Sequence, residues 1–120
     1  FGGFEFDYIF VSAQRRRGEM EKKMKVFISQ PMKGLSEKEI KSNREKAIRK
    51  IKSLYGNDAE IIDSFIEGEG NSLWFLGKSI ELLSTADVAY FLKGWNKARG
   101  CRIEYMCASN YGIGAYFEEE

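Results

Sequence analysis

From Lys25 onward the chain switches repeatedly between short unbroken apolar runs and longer stretches with a helical period. Val26-Phe27-Ile28 is bounded by Gln30-Pro31 and Gly34, which suits a strand buried on both faces of a parallel sheet. Ser36-Glu37-Lys38-Glu39 then places a glutamate three residues after a serine, the signature of a capping box. The helix it opens carries Ile40, Ala47, Ile48, Ile51 and Leu54 on one face and lysines and arginines on the other. Gly56-Asn57 ends it. A second strand is predicted over Ala59–Ile62, ending in Asp63-Ser64, with Glu67–Gly70 as a loop. Ser72 begins a second helix that directs Leu73, Leu76, Ile80 and Leu83 inward. Asp87–Leu92 reads as a third strand, followed by the loop Lys93–Arg99. A third helix runs from about Gly100 to Tyr111 and Gly112 closes it. Ile113–Phe117 reads as a last strand before the acidic tail Glu118–Glu120.

The predicted order is βαβαβαβ. Such alternation implies an α/β fold: a three-layer, flavodoxin- or Rossmann-like parallel sheet of about four strands, with right-handed crossovers and helices on both faces. Ligands of these sheets bind beyond the carboxyl ends of the strands, at the switch point. Three loops meet there: Ser29–Leu35, Asp63–Asn71 and Lys93–Gly100. Residues 1–23 stand apart from this pattern. Phe4, Phe6, Tyr8 and Phe10 alternate as in a strand, and Arg15-Arg16-Arg17 follows as a basic tether. The favoured reading is different. Arg-Arg-Arg-Gly-Glu before a methionine is what a purine-rich ribosome-binding site spells when translated, so Met20 or Met24 is the expected start and the domain is set at 24–120.

Composition narrows the function classes. The 120 residues fit one domain, and 43% hydrophobic with 14% aromatic residues is enough for a core. Lysine plus arginine (19) nearly cancels aspartate plus glutamate (18). That balance argues against a nucleic-acid polymer as partner and leaves room for a small anionic ligand. Histidine is absent, which removes the usual general base, the histidine-assisted triads and most zinc sites. Neither a metal nor a cofactor is expected. Cys101 and Cys107, six apart on one predicted helix, are too far apart to pair. Two free thiols point to a reducing cytoplasm, and the apolar runs are too short to cross a bilayer.

Acid–base or nucleophilic chemistry therefore falls to carboxylates. Glu104 sits in the first or second turn of the third helix, where the helix N-terminus favours an ionised carboxylate. Such a group can attack an anomeric carbon as it becomes oxocarbenium-like. Acidic residues also occupy first turns for dipole reasons alone. Asp63 ends the second strand and faces the ligand edge, whereas Asp87 opens a strand at the opposite edge and reads as a cap or turn. Ser29-Gln30-Pro31-Met32-Lys33-Gly34 can cradle a phosphate or ribose. It also serves simply as the turn any such fold needs. Lys93, Lys97, Arg99 and Arg102 form either a clamp for a 5′-phosphate or a solvated basic edge. Trp95 either stacks on a base or fills the core, and Cys101 at a helix N-terminus is a second, weaker nucleophile candidate.

Several stretches together resemble the nucleoside 2-deoxyribosyltransferase-like superfamily, and within it the small bacterial and phage-encoded members of the DUF4406 type. They are Lys25–Met32, Ile61–Ser64, Leu73–Gly77, Ala86–Phe91, and Gly94-Trp95 through Arg99-Gly100-Cys101-Arg102-Ile103-Glu104. The resemblance covers nearly all of Met24–Ile113. It implies that Glu104 is a covalent nucleophile at C1′ of a 2′-deoxyribonucleoside or its 5′-monophosphate, with Asp63 assisting. It further implies that Ser29, Gln30 and Met32 contact sugar or phosphate. Gly34, Trp95, Arg99, Gly100 and Arg102 complete the expected substrate site. A homo-oligomer is also implied, since members commonly share pockets between subunits. Two departures stand out. The Asp-x-Gly-Thr lead-in of the transferases reads Ala98-Arg99-Gly100-Cys101 here, and a tyrosine common near the first strand is Phe27 or Ile28. The alternative they raise is a nucleotide-binding module without turnover.

Overall fold

A computed structural model describes residues 23–119. All of the expected N-terminal extension except Lys23 lies outside the described residues. Four strands alternate with three helices: β1 (Lys25–Ser29), α1 (Glu37–Tyr55), β2 (Glu60–Ile61), α2 (Ser72–Leu83), β3 (Val88–Phe91), α3 (Arg99–Asn110) and β4 (Gly114–Phe117). The strands form one sheet in the order β2-β1-β3-β4, and every pairing is parallel. The α/β architecture read from the sequence is the one observed.

The sheet divides the core in two. Val26, Ile28, Val88 and Tyr90 face α1, where they bury Ala47 and Ile51, and Ile48 and Tyr55 pack at the margin. Phe27, Ala89 and Phe91 face the other way, toward Leu83 of α2 and Ala108 of α3. The alternation of a strand thus sorts successive residues into separate layers. Position 29 follows Phe27 by two, so the Ser29 side chain falls on the α2/α3 side.

α1 begins where its sequence says. The Glu39 N–H donates to Ser36 Oγ at 3.1 Å, and the Glu39 carboxylate accepts from the Ser36 N–H at 3.3 Å. This closes the capping box and satisfies donors that a helix start leaves open. Asn71 caps α2 in the same manner, accepting from the Trp74 N–H at 2.9 Å. α3 starts at Ala98 with no side-chain cap.

Three expectations are corrected. Leu54 is 42% exposed rather than inward, because the seam of α1 runs through Ala47, Ile51 and Tyr55 and leaves Leu54 at its edge. Leu73, also expected inward, is 73% exposed. The seam of α2 instead follows Phe75, Leu76, Ser79, Leu82 and Leu83, which turns Leu73 to solvent. The second strand is shorter than Ala59–Ile62. It pairs with β1 only at Lys25↔Glu60 and Val26↔Ile61, since Ala59 is already held in the turn by its N–H bond to the Gly56 carbonyl.

Candidate active site

The strand order reverses between β1 and β3. The connection after β1 leads out to the edge strand β2, while that after β3 leads the other way to β4. Ser29 pairs with Phe91 at the carboxyl end of these two strands, and the Leu92 N–H donates to the Ser29 carbonyl at 3.0 Å. Ser29 is therefore fixed at the topological switch point, where open α/β sheets bind ligands.

Glu104 reaches the same place from α3. Cys101, Glu104 and Ala108 form its buried face, at helical spacing. The Glu104 carboxylate is held from two sides: Ser29 Oγ donates to Oε1 and Ser79 Oγ donates to Oε2, each at 2.6 Å. One side chain thereby ties β1, α2 and α3 together. Glu104 is only 7% exposed, and burial lifts its carboxyl above the ordinary glutamate range while the two hydroxyl bonds pull it back down. The helix-terminus argument predicts the opposite direction. Glu104 is the sixth residue of α3, beyond the first turn where the dipole is felt, so desolvation wins. The same holds for Cys101. Burial pushes its thiol up, the neighbouring Ser29 hydroxyl offsets this in part, and the nearby Glu104 raises it. The expected activation of Cys101 is therefore reversed, and the thiol stays protonated.

The remaining site residues fall into three groups. Asp63 and Gln30 are engaged locally. Asp63 Oδ1 accepts from the Phe65 N–H at 3.0 Å, a turn contact at an exposed side chain. Gln30 Nε2 donates to the Ile40 carbonyl at 2.7 Å, latching the first loop to α1. Beside Asp63, Arg44 donates to Ser64 Oγ at 3.2 Å and to the Ile62 carbonyl at 3.4 Å. Burial lowers the pKa of Arg44 and the charge of Asp63 raises it. A second group lines the loop ends. Met32 is 56% exposed, and Gly34 takes φ +81°, a left-handed turn that a side chain would strain. Arg99 and Arg102 lie exposed on the first turn of α3, with Arg102 Nη1 donating to the Asn96 carbonyl at 3.4 Å. Gly100 approaches Leu76 of α2, where a Cβ would stand 3.9 Å from Cδ1. Trp95 forms the third group by itself. It packs against Phe91, Tyr105 and Phe117 with centroids 5.0–5.4 Å apart, in the layer under α3. Asp87, read as a structural cap, accepts from the Lys25 N–H at 2.8 Å.

Of the residues singled out in the sequence, Ser29 and Glu104 are in direct contact. Ser79 was missed. Its signal was a hydroxyl in the inward seam of α2, between Leu76 and Leu82-Leu83, where the helical period calls for an apolar residue. Gly68 and Gly70 were also passed over. A Cβ on either would come within 2.6 Å of the Trp74 ring, so the loop before α2 lies flat on that indole because it carries no side chain there.

Among the described residues no helix is long and apolar enough to cross a membrane, and no group of three or more Cys, Asp or Glu stands close enough to hold a metal ion. Comparison with curated proteins and with solved structures returned no match. The model of a domain of unknown function, DUF4406, matches residues 24–117. That span runs from just before β1 to the end of β4, and the chain belongs to the DUF4406 family.

Proposed function

We propose that this protein acts at the N-glycosidic bond of a 2′-deoxynucleoside or its 5′-monophosphate, with Glu104 as nucleophile. The observation that carries the reading is the Glu104 carboxylate at the carboxyl end of β1, oriented by the Ser29 and Ser79 hydroxyls. A carboxylate in that position, on a chain without histidine, is suited to attack a carbon with cationic character. In the first step a carboxylate oxygen forms a bond to C1′ while the C1′–N bond breaks. The base departs with the bonding electrons and is protonated from solvent. In the second step a second base or water bonds to C1′, the ester C–O bond breaks, and the carboxylate is regenerated. The incoming nucleophile gives up its proton.

Arg99 and Arg102, exposed on the first turn of the same helix, are the proposed partners of a 5′-phosphate. Met32 and Gly34 border the sugar from the first loop, and Asp63 orients a sugar hydroxyl or the base from the second. A homo-oligomer in which a neighbouring copy covers the carboxyl edge belongs to the same proposal.

A second reading has its own observation. Both oxygens of Glu104 already accept a hydrogen bond from a hydroxyl and burial disfavours its charge, which suits a module that binds a nucleotide without turnover. Incubation with a panel of deoxynucleosides and monophosphates, followed by chromatography of the free base, separates the two. Base release that falls by about a thousandfold in Glu104→Ala supports the enzyme. Saturable binding without release, unchanged in Glu104→Gln, supports the binding module.

A further inference from the structure

We infer that Ser79 is a positioning residue for Glu104: from α2 its hydroxyl fixes Oε2, so that with Ser29 on Oε1 the carboxylate is held in one orientation. The inference rests on the reading of Glu104 as the reacting group, yet it concerns the carboxylate itself and can be tested without a substrate.

Serine and threonine hydroxyls on helices commonly bond to a carbonyl of the preceding turn. Ser109 of α3 does so here, donating to the Met106 carbonyl, as do Ser84 and Thr85 in the turn that follows α2, to the carbonyls of Glu81 and Leu82. The Ser79 proton instead goes to a carboxylate 25 residues away, on another helix. A hydroxyl has a single proton to donate, so this bond is made in place of the local one. The position also matters. Ser79 lies in the seam of α2 that packs inward with Leu76 and Leu83, where alanine would fill the space and an unpaired hydroxyl would be unfavourable. The carboxylate gives that hydroxyl its partner.

The two bonds differ in depth. Ser29 to Oε1 is buried, whereas Ser79 to Oε2 is only part-buried. A carboxylate oxygen accepts along two lone-pair directions, and the Ser79 hydroxyl occupies one of them. The Ser79 bond thereby sets how Oε2 is turned. β1 and α2 each present a hydroxyl to the carboxylate, and among the described residues the titratable Cys101 on α3 is its electrostatic neighbour. A hydroxyl donor favours the ionised form, so Ser79 both aims the oxygen and opposes the effect of burial on its charge.

The test is a titration of the full chain labelled with carboxyl-¹³C glutamate and followed by NMR, with the Glu104 signal assigned by its loss in Glu104→Gln. Thermal unfolding of each variant serves as the folding control. In Ser79→Ala the Glu104 midpoint is expected to move to higher pH, and in Ser79→Thr, which keeps the hydroxyl, to return toward the wild-type value. Ser79→Cys, a weaker donor of similar size, falls between them and replaces the alanine variant if that one does not fold. A midpoint unmoved in Ser79→Ala or Ser79→Cys overturns the inference, as does an equal displacement in Ser79→Thr. Where the wild type releases base, Ser79→Ala should lower kcat about ten- to a hundredfold and shift the acidic limb of its pH profile upward. A merely structural serine would lower the melting temperature and leave that limb in place. A wild type that releases no base from any substrate sinks the proposed reaction, while the NMR midpoints still decide the role of Ser79.

Discussion

On the face of the sheet that α1 covers, Val26, Ile28 and Val88 meet Ala47 and Ile51 in an apolar contact, and the half-buried Arg44 of that helix is bonded to Ser64 and the Ile62 carbonyl. On the face covered by α2 and α3, Phe27, Ala89 and Phe91 share their cover with Ser29, Ser79 and Glu104. Among the described residues the α1 face buries no carboxylate. The other gathers Ser29, Ser79 and Glu104 from three different elements at one end of the sheet, and they satisfy one another. Burying this carboxylate carries a desolvation cost that its two hydroxyl bonds offset in part.

The contrast can be broken first on the α1 side, where the largest effect on stability is expected. Ile51 is fully buried, and Ile51→Ala should destabilise the fold by about 2–5 kcal/mol through lost transfer energy and a residual cavity. Urea unfolding reads this directly, and a loss below about 1 kcal/mol would show that the α1 face is not the rigid half of the core. Glu104→Gln on the opposite face should change stability less and in a pH-dependent way. Burial raises the folded pKa of Glu104 above its ordinary 4.5, so the folded chain binds that proton more tightly than the unfolded chain. This contribution is complete below pH 4.5 and is lost as pH rises through the raised folded value. The stability of wild type relative to Glu104→Gln should therefore fall with rising pH across the window that opens at 4.5. A flat difference there would mean that the carboxylate is not desolvated. The smallest effect is expected at the α1 cap. Ser36→Ala should cost about 1 kcal/mol and leave the Glu104 titration unmoved, because the capping box shares no residue with the carboxylate cluster.

How far each half was legible in the sequence follows the same division. α1 could be read almost to the residue, because Ser36 and Glu39 mark its start and Gly56 its end through local hydrogen bonds. β1 and β3 were legible as apolar runs. The limits of β2 were not, since its two paired residues depend on how far β1 extends beside it. The inward face of α2 was misjudged at Leu73 because apolar residues surround almost its whole first turn, Leu73-Trp74-Phe75-Leu76, and the period alone does not choose among them. Glu104 was visible as a carboxylate near a helix start. Its two hydroxyl partners come from positions 75 and 25 residues away, and no local pattern announces such a bond. The direction of its pKa was misread for the same reason, since burial is a tertiary property that outweighs the local helix dipole. Of the two partners, Ser29 was singled out through the loop after β1, whereas Ser79 was missed although it is a lone hydroxyl in an apolar seam.

The most direct test of Glu104 as nucleophile is to quench the protein during turnover of a deoxynucleoside that it cleaves, digest it, and map any sugar adduct by mass spectrometry. The expected result is a deoxyribosyl ester on the peptide that carries Glu104, absent in Glu104→Gln together with base release. Base release that persists in Glu104→Gln, or an adduct on another residue, would contradict the assignment.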